Sequence, residues 1–226
     1  LVINIARKYN IPTFTFIHGS TIPINNFVPF LADHCFFWGE SHVNQFKHFI
    51  DSKKKYTIVG NPKFSRTNPE TKSKVCKKIG ISEMDSTIIL ATNKAFSNYF
   101  EQARLFCEAV KNTNWLPIIK LHQVEDKKEY EILKSICPKL LIFKDELNLN
   151  EIFALSDFFL VQNSTIVIEA IMKGVPLAIF NPLNNESGIC GLILEKSNTI
   201  NFESAIALNQ FLKKSEKENI KSKIDI

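Results

Sequence analysis

The chain has 226 residues, a hydrophobic content of 45% and a formal net charge of +5 at pH 7, which suits one large folded domain or one domain plus part of another. No apolar run reaches the roughly 20 uncharged residues of a membrane-spanning helix. The richest run is broken by Glu169, Lys173, Gly174 and Pro176, so a membrane-spanning protein is excluded.

The first residues have no initiator Met and none of the basic and apolar segments of a signal peptide. The five cysteines are odd in number and widely spaced, with no C-x-x-C pair. This usage favours a reduced, cytoplasmic setting over zinc or redox chemistry.

Lysines cluster at residues 51–56, 71–78 and 212–223. Such runs ordinarily form solvated faces, and the alternative is attraction to anionic nucleotides, acidic polymers or the inner face of an anionic membrane. Most of the 19 phenylalanines lie in apolar runs rather than among basic residues. Nucleic acid is therefore not an expected partner.

The first 60 residues alternate between helical and strand-like patterns. We predict helices over 1–9 and 40–50, and strands over 13–19, 34–39 and 55–60. Residues 61–85 are polar and rich in Pro and Lys, which predicts a linker between this βα segment and a second domain over 86–226.

The second domain repeats a strand-then-helix pattern. The predicted strands are 87–91, 116–121, 140–144, 158–161 and 176–180, and the predicted helices are 98–111, 127–136, 149–156 and 165–173. Continuous apolar strands that alternate with helices indicate a doubly wound parallel sheet covered on both faces, so the chain belongs to the α/β class. Ligands of such sheets bind beyond the carboxyl ends of the strands.

A polar corner, Gln162 to Thr165, separates the fourth strand from its helix. Asn163, Ser164 and Thr165 lie at the start of that helix, where backbone N–H groups favour an anion such as phosphate. Ordinary N-capping is the alternative, since the same residue types are preferred caps. Glu169, one turn further on, is placed to bind a sugar hydroxyl, although a surface-facing Glu is the simpler interpretation.

Three further side chains lie at or just after the ends of predicted strands. His122 is a candidate for phosphate binding or proton transfer, Lys94 could supply positive charge to a diphosphate, and His18 is the only general-base candidate. A lone His at a strand end is more often a structural hydrogen-bonding group. His34, His42 and His48 lie inside predicted elements without ligand spacing, so no metal site is expected.

Five motifs occur in the order "IPTFTFIHGS", "ADHCFFWGE", "IVGNPKF", "IIKLHQ" and "NSTIVIEAIMKGVPLAIF". Together they resemble the GT-B glycosyltransferases of bacterial surface polysaccharide synthesis, a group that includes polysialyltransferases and CDP-glycerol-type polymerases. The resemblance assigns His122 to the His of a His-Pro pair and Ser164–Thr165 to a Ser/Thr corner, with Glu169 at the following acidic position. Gln123 replaces the usual Pro, which puts the subfamily in doubt more than the fold.

The resemblance implies that residues 1–60 are the end of an acceptor-side Rossmann-like domain and that 86–226 bind a nucleotide-sugar donor. It also implies that the sequence lacks an N-terminal portion. The implied activity is transfer of a sugar from that donor to a glycan or glycolipid acceptor, without cofactor or metal. The alternatives are a UDP-N-acetylglucosamine 2-epimerase-like enzyme, suggested by the "VGN" strand, and a non-catalytic donor-binding partner of a complete transferase.

Overall fold

The structure is a computed structural model. It describes residues 2–17, 28–50, 55–61, 70–94, 98–162, 164–184, 199–215 and 220. The chain forms two compact units, residues 1–67 and 68–226.

The first unit contains a small parallel sheet. Its elements are α1 (Val2–Lys8), β1 (Phe14–Phe16), β2 (His34–Phe37), α2 (Glu40–Phe46) and β3 (Lys55–Ile58), with a 3-10 turn over Lys47–Phe49. The strands pair in the order β1-β2-β3. Because side chains alternate across a strand, Cys35 and Phe37 point to the face that packs against Val43 and Phe46 of α2.

The second unit is built on a larger parallel sheet. Its strands are β4 (Thr87–Ala91), β5 (Leu116–Lys120), β6 (Leu141–Phe143), β7 (Phe158–Val161), β8 (Leu177–Phe180) and β9 (Asn201–Phe202). Its helices are α3 (Lys72–Ile79), α4 (Tyr99–Val110), α5 (Lys127–Glu131), α6 (Leu149–Leu155), α7 (Ile166–Met172) and α8 (Ala205–Lys214), and a 3-10 turn over Ile132–Ser135 extends α5.

Helices cover both faces of this sheet. Ile88 and Leu90 of β4 point into a core that contains side chains of α4 and α8, whereas Ile89 and Ala91 point into a second core that contains side chains of α3, α6 and α7. All five residues of β4 are buried, which explains its unbroken apolar sequence. The predicted α/β class with a doubly wound parallel sheet is confirmed.

Helix α3 lies inside the segment that the sequence predicts to be a linker. Thr71 Oγ1 caps it by accepting a hydrogen bond from the backbone N–H of Lys74, and Gly80 ends it in the left-handed conformation. Val75 and Cys76 are buried in the same core as Ile89. The described residues 70–85 are therefore part of the second unit rather than a separate connection.

Among the described residues, no helix is long and apolar enough to cross a membrane. Their four cysteines, Cys35, Cys76, Cys107 and Cys137, are buried. Burial raises the pKa of the Cys107 thiol to about 12, which keeps it protonated and unreactive at neutral pH.

Candidate functional site

The strand order of the second unit defines where a ligand would bind. The sheet runs β6-β5-β4-β7-β8-β9, so the chain moves outward from β4 to β6 and then returns to the other side of β4. The strand order reverses between β4 and β7, which pair in register from Ile88 to Ala91. In open α/β sheets, a crevice opens at this switch point, beyond the carboxyl ends of the strands.

The predicted corner flanks this crevice. Thr92, Asn93 and Lys94 follow β4, while Gln162, Ser164 and Thr165 follow β7. Asn163 lies outside the described residues. The topology therefore brings the loop after β4 and the start of α7 to the two sides of the switch point.

The corner residues differ in how they use their hydroxyl groups. Ser164 Oγ accepts a long hydrogen bond of 3.4 Å from the backbone N–H of Ile166. Thr165 is the N-terminal boundary residue of α7, yet its side chain makes no capping hydrogen bond to that helix. Both residues are half-buried. N-capping thus accounts for Ser164 in part and leaves the Thr165 hydroxyl without a capping role.

His122 lies beyond β5, the neighbour of β4 on the side away from β7. Its side chain is exposed, and its Nδ1 accepts a hydrogen bond from the backbone N–H of Val124 at 3.4 Å. An Nδ1 that accepts places the proton of a neutral imidazole on Nε2, a tautomer assigned from this contact. His122 therefore presents an N–H donor, which suits binding of an anionic or hydroxyl oxygen.

Lys94 has local partners. Its Nζ lies 4.0 Å from Glu129 Oε1 and 5.6 Å from the centroid of the Tyr99 ring. Tyr99 donates its hydroxyl hydrogen bond to the other Glu129 oxygen at 3.2 Å. An exposed pair of this kind contributes about 0–1 kcal/mol, so a bound diphosphate could compete for the ammonium.

The structure describes some of the remaining predicted residues and not others. Glu169 is half-buried and lies one turn after Thr165 in α7. His18 lies outside the described residues. His34 Nε2 is 2.9 Å from Thr57 Oγ1, and His42 Nδ1 accepts from the backbone N–H of Trp38 at 3.3 Å, so both have local partners. No group of His, Cys, Asp or Glu in the described residues could hold a metal ion.

Sequence reasoning placed Gln162 in the polar corner without a role of its own, and it missed the other buried polar side chains at this edge of the sheet. Gln162 donates to Asn181 Oδ1 at 3.3 Å, which links the ends of β7 and β8. Gln102 of α4 donates to the carbonyl of Phe180 at 2.6 Å. Gln162 and Asn181 could be recognised in the sequence, because each is a polar residue directly after an apolar strand. Gln102 lies within α4 and has no such signal.

Sequence reasoning also missed Glu125, which is 1% exposed, as is Gln102. Its side chain accepts hydrogen bonds from the Thr92 hydroxyl at 2.5 Å, the backbone N–H of His122 at 2.6 Å and the Tyr130 hydroxyl at 2.8 Å. Burial, followed by the charge of Glu125, raises the pKa of Tyr130 far above its usual range, so its hydroxyl stays a donor. The available signal was a Glu three residues after His122.

Lys120 closes the same edge on the β6 side. Its Nζ donates to the carbonyls of Leu121 at 2.8 Å and Lys144 at 2.6 Å, and burial lowers the pKa of its ammonium. These contacts tie the ends of β5 and β6 together. Lys120 is therefore a structural cation within the sheet rather than a free charge for a ligand.

Solved structures show which fold this is. No family model matches the sequence, and no curated protein does either. HepE from Anabaena, in complex with UDP-glucose, is 12% identical with a TM-score of 0.62 over 97% of this chain and 66% of HepE. The wall teichoic acid polymerase TagF is 12% identical with a TM-score of 0.57 over 92% of this chain and 53% of TagF.

A plant protein gives the same result. UGT89C1 from Arabidopsis thaliana is 13% identical with a TM-score of 0.64, over 98% of this chain and 62% of its own length. At these identities the likeness establishes the fold, which is that of the GT-B glycosyltransferases. The chain spans about half of TagF and less than two thirds of UGT89C1. The epimerase alternative is not favoured by these neighbours.

Proposed function

We propose that the second unit is the donor-binding half of a glycosyltransferase, which moves a sugar from a nucleotide sugar to a glycan acceptor in surface polysaccharide synthesis. One observation carries the proposal: the switch point of the sheet lies between β4 and β7, and the Ser164–Thr165 corner lies beside it. HepE, whose structure is similar to this chain with a TM-score of 0.62, was solved in complex with UDP-glucose. This similarity supports a nucleotide-sugar ligand for this chain.

The proposed roles follow from the chemistry of the groups at these strand ends. The hydroxyls of Ser164 and Thr165 and the first backbone amides of α7 would bind phosphate oxygens. His122 would donate from Nε2 to a phosphate or sugar oxygen. Glu169 would accept from a ribose or sugar hydroxyl, and Lys94 would leave Glu129 for the diphosphate. Fixed donors of this kind stabilise negative charge on a leaving phosphate without a bound metal.

We also propose where the acceptor binds and where in the cell the enzyme works. We assign acceptor binding to the first unit, with His18 as the general base. Attraction between the lysine clusters and anionic lipid headgroups would bring the enzyme to the inner membrane surface, where a glycolipid acceptor is anchored.

Phosphate dependence is the test. Affinities of the full chain for UDP and uridine, and for CDP and cytidine, are measured by calorimetry for the parent and for Ser164→Ala, Thr165→Ala and His122→Ala. Each lost charge-assisted hydrogen bond should weaken nucleotide binding by about 1.5–3 kcal/mol, a factor of ten or more, and leave nucleoside binding nearly unchanged.

Matched capping variants separate binding from helix stability. Ser204 Oγ caps α8 by accepting from the backbone N–H of Ala207 at 3.1 Å, and Thr71 caps α3 at a distance from the crevice. Ala at either position should cost about 0.5–2 kcal/mol of stability without affecting nucleotide affinity. Equal losses for nucleotide and nucleoside in the corner variants would refute phosphate binding. Nucleotide binding without turnover would favour the non-catalytic partner.

A further inference from the structure

Glu125 holds two strand ends and a helix in one arrangement. It is 1% exposed and is the only carboxylate among the buried side chains of the described residues. Its donors come from three elements: Thr92 from the end of β4, His122 from the end of β5, and Tyr130 from α5. Burial of a carboxylate is costly unless several hydrogen bonds compensate it, and these three bonds do so.

The contacts at His122 are reciprocal. Glu125 Oε2 accepts from the backbone N–H of His122 at 2.6 Å, and the backbone N–H of Glu125 donates to the carbonyl of His122 at 3.0 Å. The main chain of His122 is thereby fixed at both its N–H and its carbonyl. The position of the imidazole is then set by this fixed backbone and by one long hydrogen bond from the backbone N–H of Val124 to Nδ1.

The same carboxylate fixes the loop after β4. The Thr92 hydroxyl donates to Glu125 Oε2 at 2.5 Å, and the Thr92 backbone N–H donates to the carbonyl of Lys120 at 3.1 Å. One oxygen therefore receives hydrogen bonds from both strand ends and sets their spacing. Thr92 directly precedes Asn93 and Lys94, which follow β4 at the switch point of the sheet.

From these contacts we propose that Glu125 is a positioning residue for donor binding, which acts by aligning His122 and the loop after β4 with the phosphate groups. This inference rests on the proposed function. A hydrogen bond to a phosphate oxygen weakens when its donor moves by a fraction of an ångström. Loss of Glu125 should therefore lower the affinity for the phosphate groups of a nucleotide and leave the affinity for its base unchanged. A carboxylate suits this role because it can accept all three hydrogen bonds, whereas an amide of the same shape accepts on one oxygen only.

The test uses Glu125→Ala and Glu125→Gln in the full chain, with UDP against uridine and CDP against cytidine as probes. Affinity per folded molecule should fall about tenfold for the nucleotides in Glu125→Ala and less than about twofold for the nucleosides. Glu125→Gln keeps the shape, and its one oxygen can still accept from both Thr92 and His122, so only the acceptor for Tyr130 is lost and most of the affinity should be retained. If Glu125→Ala does not fold, Glu125→Gln is used alone. It should bind nucleotides more weakly than the parent, by less than tenfold, and bind nucleosides equally well, and an unchanged nucleotide affinity would overturn the inference.

A double-mutant cycle shows whether Glu125 acts through His122. In a His122→Ala background, Glu125→Ala should cause much less further loss of nucleotide affinity than it does alone. Asp157→Ala is the matched control, because Asp157 also accepts several hydrogen bonds but lies at the opposite edge of the sheet. It should lower stability and leave nucleotide affinity unchanged.

The outcomes separate the inference from the function on which it rests. A parent chain that binds no nucleotide overturns both. Nucleotide binding that weakens in His122→Ala but not in the Glu125 variants overturns the positioning role alone. Equal losses for nucleotide and nucleoside, or full additivity with His122→Ala, also overturn it, since a purely structural carboxylate would behave in that way.

Discussion

The amino edge of the larger sheet is held by Asp157, and its removal should destabilise the second unit strongly. Asp157 Oδ2 accepts from Lys72 Nζ at 2.5 Å, from the Thr87 backbone N–H at 2.9 Å and from the Thr87 hydroxyl at 3.1 Å. The Lys72 and Asp157 side chains are only 14% and 12% exposed. Asp157→Ala would leave the N–H of the fully buried Thr87 without its acceptor and the ammonium without its carboxylate.

The magnitude follows from those two losses. An unsatisfied buried N–H costs about 1–3 kcal/mol. Breaking a fully buried ion pair costs about 3–5 kcal/mol, but here the loss is smaller, because Lys72 is partly solvated and keeps its bond to the carbonyl of Asp85 at 2.8 Å. We expect Asp157→Ala to lower the free energy of unfolding by about 2–4 kcal/mol. Lys72→Met should cost less, since Asp157 would keep both Thr87 donors.

The assay can isolate the second unit. The two tryptophans lie in different units, with Trp38 in the first and the buried Trp115 in the second. In a Trp38→Phe background, urea unfolding followed by fluorescence reports on Trp115 alone. The control is Glu101→Ala, which removes a partner of Arg104 in an exposed ion pair and should have little effect on stability. A cost for Asp157→Ala no larger than that control, or smaller than that of Lys72→Met, would refute the reasoning.

Three other outcomes are expected. Limited proteolysis should cut between residues 61 and 70 and spare 72–79, because α3 packs into the second core; early cleavage inside α3 would contradict its placement. Nucleotide affinity should be the same with and without EDTA, since the sequence contains no Asp-x-Asp, and a large loss on chelation would reveal a metal site. Burial lowers the pKa of His42 below 6.5, so the unfolded chain binds more protons and stability should fall as the pH drops below 6.5. His42→Gln should flatten that part of the stability profile measured in urea, and an unchanged slope would exclude His42 as its source.

The sheet of the second unit could be predicted because its strands are buried on both faces. Burial on both sides requires an unbroken apolar run, and the observed β4 and β7 have the predicted bounds 87–91 and 158–161. The helices were predicted from the alternation of strand-like and helical patterns, and α6 also begins with a local signal, the capping box of Asn148 and Glu151. These features are local, so one sequence suffices to recognise them.

Three elements were missed, each for a different reason. In α3, four lysines conceal the apolar stripe of Val75, Cys76 and Ile79, and the helix was assigned to a linker from composition alone. Strand β9 has only two residues, so it is too short to show the alternation or the apolar run that identifies a strand in a sequence. Helix α8 had a usable signal, since Ser204 precedes the amphipathic segment 205–214, but the predicted pattern stopped at residue 180.

The site was predictable to the level of strand ends and no further. That polar residues after β4, β5 and β7 share one edge follows from parallel pairing, and the sequence predicted it. The strand order that puts the switch point between β4 and β7 depends on which strands pair across the sheet. Burial of Glu125 depends on Thr92 and Tyr130, which lie 33 residues before it and five residues after it in the chain. Neither fact has a local signature.

The two edges of the sheet solve the same problem with different chemistry, and the difference bears on function. At the amino edge, the carboxylate of Asp157 is matched by the ammonium of Lys72, so the local charge is neutral and the arrangement is closed. At the carboxyl edge, the hydrogen bonds to Glu125 come from two hydroxyls and a backbone amide, none of which carries a formal charge. The buried Glu125 carboxylate needs all three of these hydrogen bonds, because the loss of a donor would leave a buried acceptor unsatisfied. At the edge where we propose that the sugar donor binds, this requirement fixes His122 and the loop after β4, whereas the ion pair at the amino edge contributes to stability.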